Sequence, residues 1–157
     1  MPRVHRTTLG MALAVCAGLS LSLLAATPQE AAPTNKQTKT LIAYKVDPNV
    51  AEKPGEAGTL QGWKVLASKP VPDGKLRDRI EKVLGDKSTY GDQGAKCFQP
   101  GMGFTVKSEE GTVDIVICLQ CYWLYEYKPG QDEPEQKALS EAGVKQLARL
   151  YAEIFPE

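Results

Sequence analysis

Cys97, Cys118 and Cys121 are the residues whose type and spacing invite chemistry in this 157-residue chain. Cys118-Leu119-Gln120-Cys121 has the spacing of a dithiol redox pair, and a third thiol sits upstream at Cys97. Such thiols have three uses. They can close a disulfide, exchange with other thiols, or bind Zn or Cu as thiolates, with Asp92, Gln99 or water as a fourth ligand. The pair lies inside Val113–Tyr127, an apolar run with aromatics at its end that reads as one continuous strand. In a straight strand Cys118 and Cys121 would point to opposite sides about 10 Å apart. Disulfide Cα separations are nearer about 5.5 Å. A Cys118–Cys121 bridge, or a metal site using both, therefore requires a bend at Leu119-Gln120. Redox pairs of this spacing usually open a helix, where the dipole lowers the thiol pKa. Here the pair is followed by Tyr122-Trp123-Leu124-Tyr125-Glu126-Tyr127. The leading expectation is a structural bridge from Cys97 to Cys118 or Cys121, worth about 2–4 kcal/mol, with one thiol left over.

The redox setting follows from the N-terminus. Arg3 and Arg6 precede an uncharged stretch, Leu9–Ala26, which ends at small residues before Thr27-Pro28. This is the pattern of a secretory signal peptide over residues 1–26, and export favours disulfides. Two alternatives keep the chain at a membrane. The stretch would serve as a retained anchor, or Cys16 would be lipidated, although Val15 stands where a small residue is expected. Removing residues 1–26 leaves 17 basic groups against 19 acidic ones, which offers no electrostatic case for nucleic acid. It also removes His5, the only histidine. A mature chain without histidine excludes Ser-His-Asp and Cys-His mechanisms, His-ligated metals and Cys-x-x-Cys-His haem attachment.

The elements that must position the cysteines form a small domain over residues 41–157. Residues 27–40, with two prolines and no large apolar side chain, read as a disordered tether. Leu41–Val46 reads as a short strand, 47–59 as loop, and 60–71 as a strand closed by Pro70 and Pro72. Residues 73–84 read as a helix capped by Asp73. Its buried face carries Leu76, Ile80, Val83 and Leu84, and Arg77 falls among the solvated positions. Residues 86–96 read as loop. Met102, Phe104 and Val106 then alternate, the Ser108–Gly111 segment turns, and Val113, Ile115 and Ile117 answer. A hairpin pairing Lys107 with Thr112 sets Val106 opposite Val113, Phe104 opposite Ile115 and Met102 opposite Ile117, all on one face. Residues 128–137 read as loop. Ser140 caps a last helix whose stripe is Val144, Leu147, Tyr151 and Ile154, helped by Ala148 and Phe155, with Leu139 as a staple on Val144. The fold class is α+β: a small antiparallel sheet with a central β-hairpin and two helices packed on one face.

In this register Cys97 lies across from Tyr122 and diagonal to Cys121, so the three thiols share one neighbourhood. Cys121, Trp123, Tyr125 and Tyr127 continue the core face of the strand. Tyr122 lies on the opposite side with Leu124, as an exposed platform for sugar or peptide. The Cys97-Phe98-Gln99-Pro100 segment and the strand Val113–Cys121 together resemble a group of uncharacterised bacterial exported proteins. Those proteins pair a Cys-aromatic-x-Pro segment with a hydrophobic-Cys-x-x-Cys strand and a closing helix opened by Ser. The resemblance covers residues 96–156 and implies no catalytic residues. Where members often carry Arg-His after the proline, this chain has Gly101-Met102. The reading is an exported, non-enzymatic binding or structural envelope module stapled by a disulfide. The alternative is a thiol-based redox or metal-handling protein using the three cysteines.

Overall fold

The computed structural model describes residues 39–72 and 74–156. The expected signal peptide, Cys16, nearly all of the tether and the Asp73 cap lie outside the described residues. The fold is α+β, and the sheet dominates it. Seven strands run β1 (Thr40–Ala51), β2 (Thr59–Leu60), β3 (Trp63–Val71), β4 (Met102–Ser108), β5 (Gly111–Cys118), β6 (Trp123–Tyr127) and β7 (Glu135–Ala138). Helices α1 (Lys75–Gly85) and α2 (Glu141–Ile154) complete it. The spatial order is β2-β3-β1-β4-β5-β6-β7, and every pairing is antiparallel.

The β4–β5 hairpin has the register that the alternation predicts: Met102 faces Ile117, Phe104 faces Ile115 and Val106 faces Val113. With Leu41 and Ala43 of β1 and Val71 of β3, these side chains make the sheet's half of the main core. Ile80 and Val83 of α1 and Leu147, Leu150 and Ile154 of α2 cover that same face. Ser140 caps α2 by accepting a hydrogen bond from the Gly143 amide at 3.0 Å. Leu139 is buried in the main core, with Val144 packed against it.

The sheet is larger than the small one expected, because two segments read as loops pair as strands. β1 continues past Asp47 through Pro48 to Ala51, with register irregularities after Lys45 and again after Val46. Proline supplies no ladder donor, and the pairing with β3 is interrupted after Val46 and resumes at Ala51 opposite Trp63. β7 lies in a stretch whose acids and proline suggested loop. Its Lys137 and Glu135 pair with Glu126 and Lys128 respectively, giving the sheet a charged edge. Pro70 lies within β3, as the expected 60–71 strand also had it, and stands opposite Ile42. β2 covers only Trp63 and Lys64, so the rest of β3 is an edge that needs no donor at Pro70.

The helices also depart from their expected faces. Arg77 is buried, its guanidinium donating to the Lys39 carbonyl at 2.7 Å and to Glu81 at 3.0 Å. Its aliphatic stem runs through the buried region while the charged end bonds to these two acceptors. On α2, Leu150 is buried and Ala148 is exposed, so the stripe lies on the Leu147–Leu150–Ile154 side. Residues 86–96 are structured in part. Lys87–Thr89 is a 3-10 turn in which Thr89 Oγ1 donates to the Val83 carbonyl and Tyr90 Oη to the Leu84 carbonyl, both at 2.6 Å. These bonds satisfy carbonyls that the end of α1 leaves without helical partners.

The exposed carboxylates make a pH argument. Pairing with Lys128 holds Glu135 below its usual carboxylate range, and the Ser88 amide does the same for Asp86. Lys145 lowers Glu141 likewise. A carboxyl group whose folded pKa is depressed contributes stability above its unfolded pKa and loses it as pH falls through the folded value. The urea midpoint should hold near neutrality and decline once pH drops below about 4.5. A Glu135→Gln variant should show a shallower decline. Packing predicts a second outcome. Glycine to alanine inside a helix ordinarily stabilises by up to about 1 kcal/mol. At Gly143, however, a methyl would overlap the Thr89 carbonyl oxygen and come within 2.9 Å of its carbon. Overpacking of about 1–3 kcal/mol should win, so Gly143→Ala lowers stability in denaturant titration.

Candidate functional site

The site forms where β5 ends. Cys118 pairs with Trp123 across a reversal made by Leu119, Gln120, Cys121 and Tyr122. The continuous strand expected over Val113–Tyr127 is therefore a second hairpin, β5–β6. The bend at Leu119-Gln120 brings the Cys118 and Cys121 Cα atoms to 5.2 Å, and a disulfide joins them. That separation suits a disulfide, which the straight strand could not have supplied. The Cys121 amide donates to Cys118 Sγ at 3.2 Å within the turn. Tyr122 closes the turn with φ +61°, in the left-handed region, and its carbonyl accepts from the Leu139 amide at 2.8 Å. The bond to Leu139 ties this uncommon conformation to the segment that leads into α2.

The expected bridge to Cys97 is thus replaced by one within the turn. Cys97 is exposed and not disulfide-bonded, yet its Sγ lies 3.0 Å from Cys121 Sγ. The neighbourhood inferred for three thiols is real, but its pairing differs from the expectation. The reason is the bend: it brings the two local cysteines together before a distant partner is needed. Cys97 is held by the strap that carries it. The Ala95 amide donates to the Cys121 carbonyl at 2.9 Å, and the Trp123 indole N–H donates to the Ala95 carbonyl at 2.6 Å. Gly94 allows this approach, since a Cβ there would run into the Trp123 ring. Further along the strap, Phe98 stacks on Tyr125 with ring centroids 4.1 Å apart, and Trp63 meets Phe98 edge-on at 6.0 Å.

The reversal changes which residues share a face. Ile117 pairs with Leu124, so even-numbered residues of β6 continue the helix-covered core. Trp123, Tyr125 and Tyr127 consequently point to the other face, half-buried, where the smaller cluster of Val46, Leu60 and Val116 lies. This corrects the expectation that they continue the main core. Tyr122 is corrected too: it is half-buried in the turn and packs against the main core instead of forming an exposed platform. The aromatic surface is the one made by Trp63, Phe98 and Tyr125. Phe98, beside Cys97, was within reach of sequence reasoning; the parity of β6 was not.

Two depressions flank the turn. On the Cys97 side, a groove of about 280 Å³ runs between the strap and the side chains of Trp123, Tyr125 and Gln136. On the other side, a pocket of about 320 Å³ is walled by Val46, Leu66, Met102, Leu119 and Tyr151. Leu66, 52 % exposed, is the exposed large hydrophobic residue among those described. Helical spacing marked Tyr151 on the α2 stripe, but no spacing brings it beside Leu66, which comes from β3. The Tyr151 phenol donates to the Gly101 carbonyl at 3.2 Å, and burial raises its pKa. Burial raises Tyr127 as well, helped by Tyr125 and Asp114. Neither phenol is thereby brought towards neutral pH. Among the described residues, no group of three or more His, Cys, Asp or Glu side chains is arranged to hold a metal ion. With Cys118 and Cys121 joined, neither sulfur is a thiolate, so the Zn or Cu arrangement of three thiolates belongs only to the reduced chain.

The disulfide closes a short loop, with a sequence separation of 3. Chain entropy then assigns it about 2 kcal/mol, against about 3.5 kcal/mol for a loop the length of Cys97 to Cys121. Cys118→Ala together with Cys121→Ala should therefore lower unfolding stability by about 2 kcal/mol plus the packing lost at two buried sulfurs. Circular dichroism in denaturant reads this. Comparison of the chain with protein-family models, curated proteins and solved structures finds no match.

Proposed function

We propose that this chain is an exported envelope module that works by holding an apolar group of a partner, not by catalysing a reaction. The observation that carries this reading is the pocket beside the cross-linked turn, where Leu66 presents exposed apolar surface next to Leu119. A concave pocket walled mainly by apolar side chains is the usual form of a small-group binding site, and Leu66 adds exposed apolar area to this one. The disulfide suits this role, because it stiffens the turn that forms one wall and so reduces the ordering cost of binding. The carboxylates and amines whose pKa values are shifted are accounted for by ion pairs and a 3-10 cap: Lys128 with Glu135, Lys137 with Glu126, Lys145 with Glu141, Asp86 with Ser88. Export rests on the basic and apolar pattern of residues 1–26 and on the disulfide, which is at home in an oxidising compartment.

Two measurements test the reading. NMR titration with short alkyl alcohols should move resonances of Val46, Leu66, Leu119 and Tyr151, and Leu66→Asp should abolish the response. Shifts scattered over the surface, or a response unchanged in Leu66→Asp, would count against the pocket. Fractionation of a bacterial host expressing the full chain should place it outside the cytoplasm, shortened near Ala26. An unprocessed cytoplasmic chain would remove the export half of the proposal.

A further inference from the structure

The pocket leaves the third cysteine without a role. Cys118 is 0 % and Cys121 1 % exposed, so a thiol in solution cannot reach either sulfur of the disulfide directly. Cys97 is exposed, opens onto the groove beside Trp123 and Tyr125, and has its Sγ 3.0 Å from that of Cys121. Its strap is pinned to the turn through Ala95, so the contact does not depend on the cysteine side chains alone. We infer that the three cysteines form a thiol–disulfide relay, with Cys97 as the sulfur through which the buried Cys118–Cys121 disulfide exchanges electrons with low-molecular-weight thiols.

The chemistry balances in three steps. Cys97 loses its proton to solvent and attacks Cys121 Sγ; the Cys97–Cys121 bond forms, the Cys121–Cys118 bond breaks, and Cys118 leaves as a thiolate that takes up a proton. This first step changes no oxidation state; it moves the disulfide from the interior to the surface. A solution thiolate then attacks Cys97 Sγ, forming a mixed disulfide and releasing Cys121 as a thiol. A second solution thiolate attacks the outer sulfur of that mixed disulfide, releasing the small disulfide and restoring the Cys97 thiol. In sum, two small thiols are oxidised to a disulfide, and Cys118–Cys121 is reduced to two thiols. The reverse sequence reoxidises the pair with a small disulfide. Attack on a disulfide requires access and a nearby nucleophile, and here the two requirements are met by one residue.

The test uses the full chain and the glutathione couple, with each cysteine, Cys16 included, read separately by peptide mass. Reduced glutathione should open the Cys118–Cys121 disulfide of Cys97→Ser at least about tenfold more slowly than that of the parent. Alkylating Cys97 of the parent with iodoacetamide beforehand should cause the same slowing, which keeps the test independent of any substitution. Under oxidised glutathione, Cys118→Ala should yield a Cys97–Cys121 disulfide. Equal reduction rates with and without a functional Cys97 would overturn the relay. So would a folded Cys118→Ala chain, with the parent's circular dichroism, that keeps Cys97 and Cys121 unlinked after oxidation.

Discussion

The reversal of the chain between Cys118 and Trp123 is the constraint on which the far half of the sheet depends. Up to Cys118 the strand follows simple alternation, with odd-numbered residues facing the helices. The turn then shifts the pairing so that Ile117 meets Leu124, and from there the even-numbered side faces the helices. A side-chain period of two makes this shift complete: every residue of β6 changes face at once. Without it, Trp123, Tyr125 and Tyr127 would compete with the helices for the main core. With it, they cover the opposite face together with Phe98 and Trp63.

The disulfide and the left-handed Tyr122 belong to this same reversal. The bend brings two cysteines three residues apart to bonding distance, and the bond in turn holds the bend. Hydrogen bonds from Leu139 to Tyr122 and from Ala95 to Cys121 attach two further segments to the turn. The first leads directly into α2, and the second carries Cys97. The helices are bound to one another by an Arg79–Glu153 ion pair, and Lys69 donates to the Ile154 carbonyl at the end of α2. A cation at a helix C-terminus also complements the helix dipole. The turn, the strap and the helix ends thus form one connected framework.

This framework relates the apolar pocket to the cysteines. Leu119 and Gln120 face the pocket, while Cys121 faces the strap, so the two features share a four-residue segment. A change in the disulfide would be felt at the wall of the pocket, since the same residues make both. The physical route is short: the covalent bond restricts the turn, and the turn supplies Leu119. Binding at the pocket and exchange at Cys97 are therefore separate proposals that meet in the same backbone.

Local pattern determined the parts of this protein that are set by neighbours in the chain. The β4–β5 register followed from alternating apolar residues about a short turn, and the Ser140 cap followed from a polar residue before a helical stripe. The α+β class followed from counting such elements; the proximity of the three cysteines was expected from extending the hairpin, but the ladder stops at Cys118 and the strap through Ala95 makes the contact. Tertiary structure alone decided the rest. Leu119–Tyr122 contains no glycine, proline or asparagine to announce a turn, so its reversal rests on packing and on the disulfide rather than on local preference. Arg77 is buried with its guanidinium bonded to the Lys39 carbonyl and to Glu81; the i,i+4 spacing to Glu81 is visible in the helix, but the Lys39 carbonyl is not. Leu66 and Tyr151 line one pocket because the end of α2 packs beside β3, where Lys69 donates to the Ile154 carbonyl, and no spacing along the chain encodes that approach. The cysteine pairing was decided in the same way, since whether Cys121 bonds to Cys118 or Cys97 turns on one bend in the backbone.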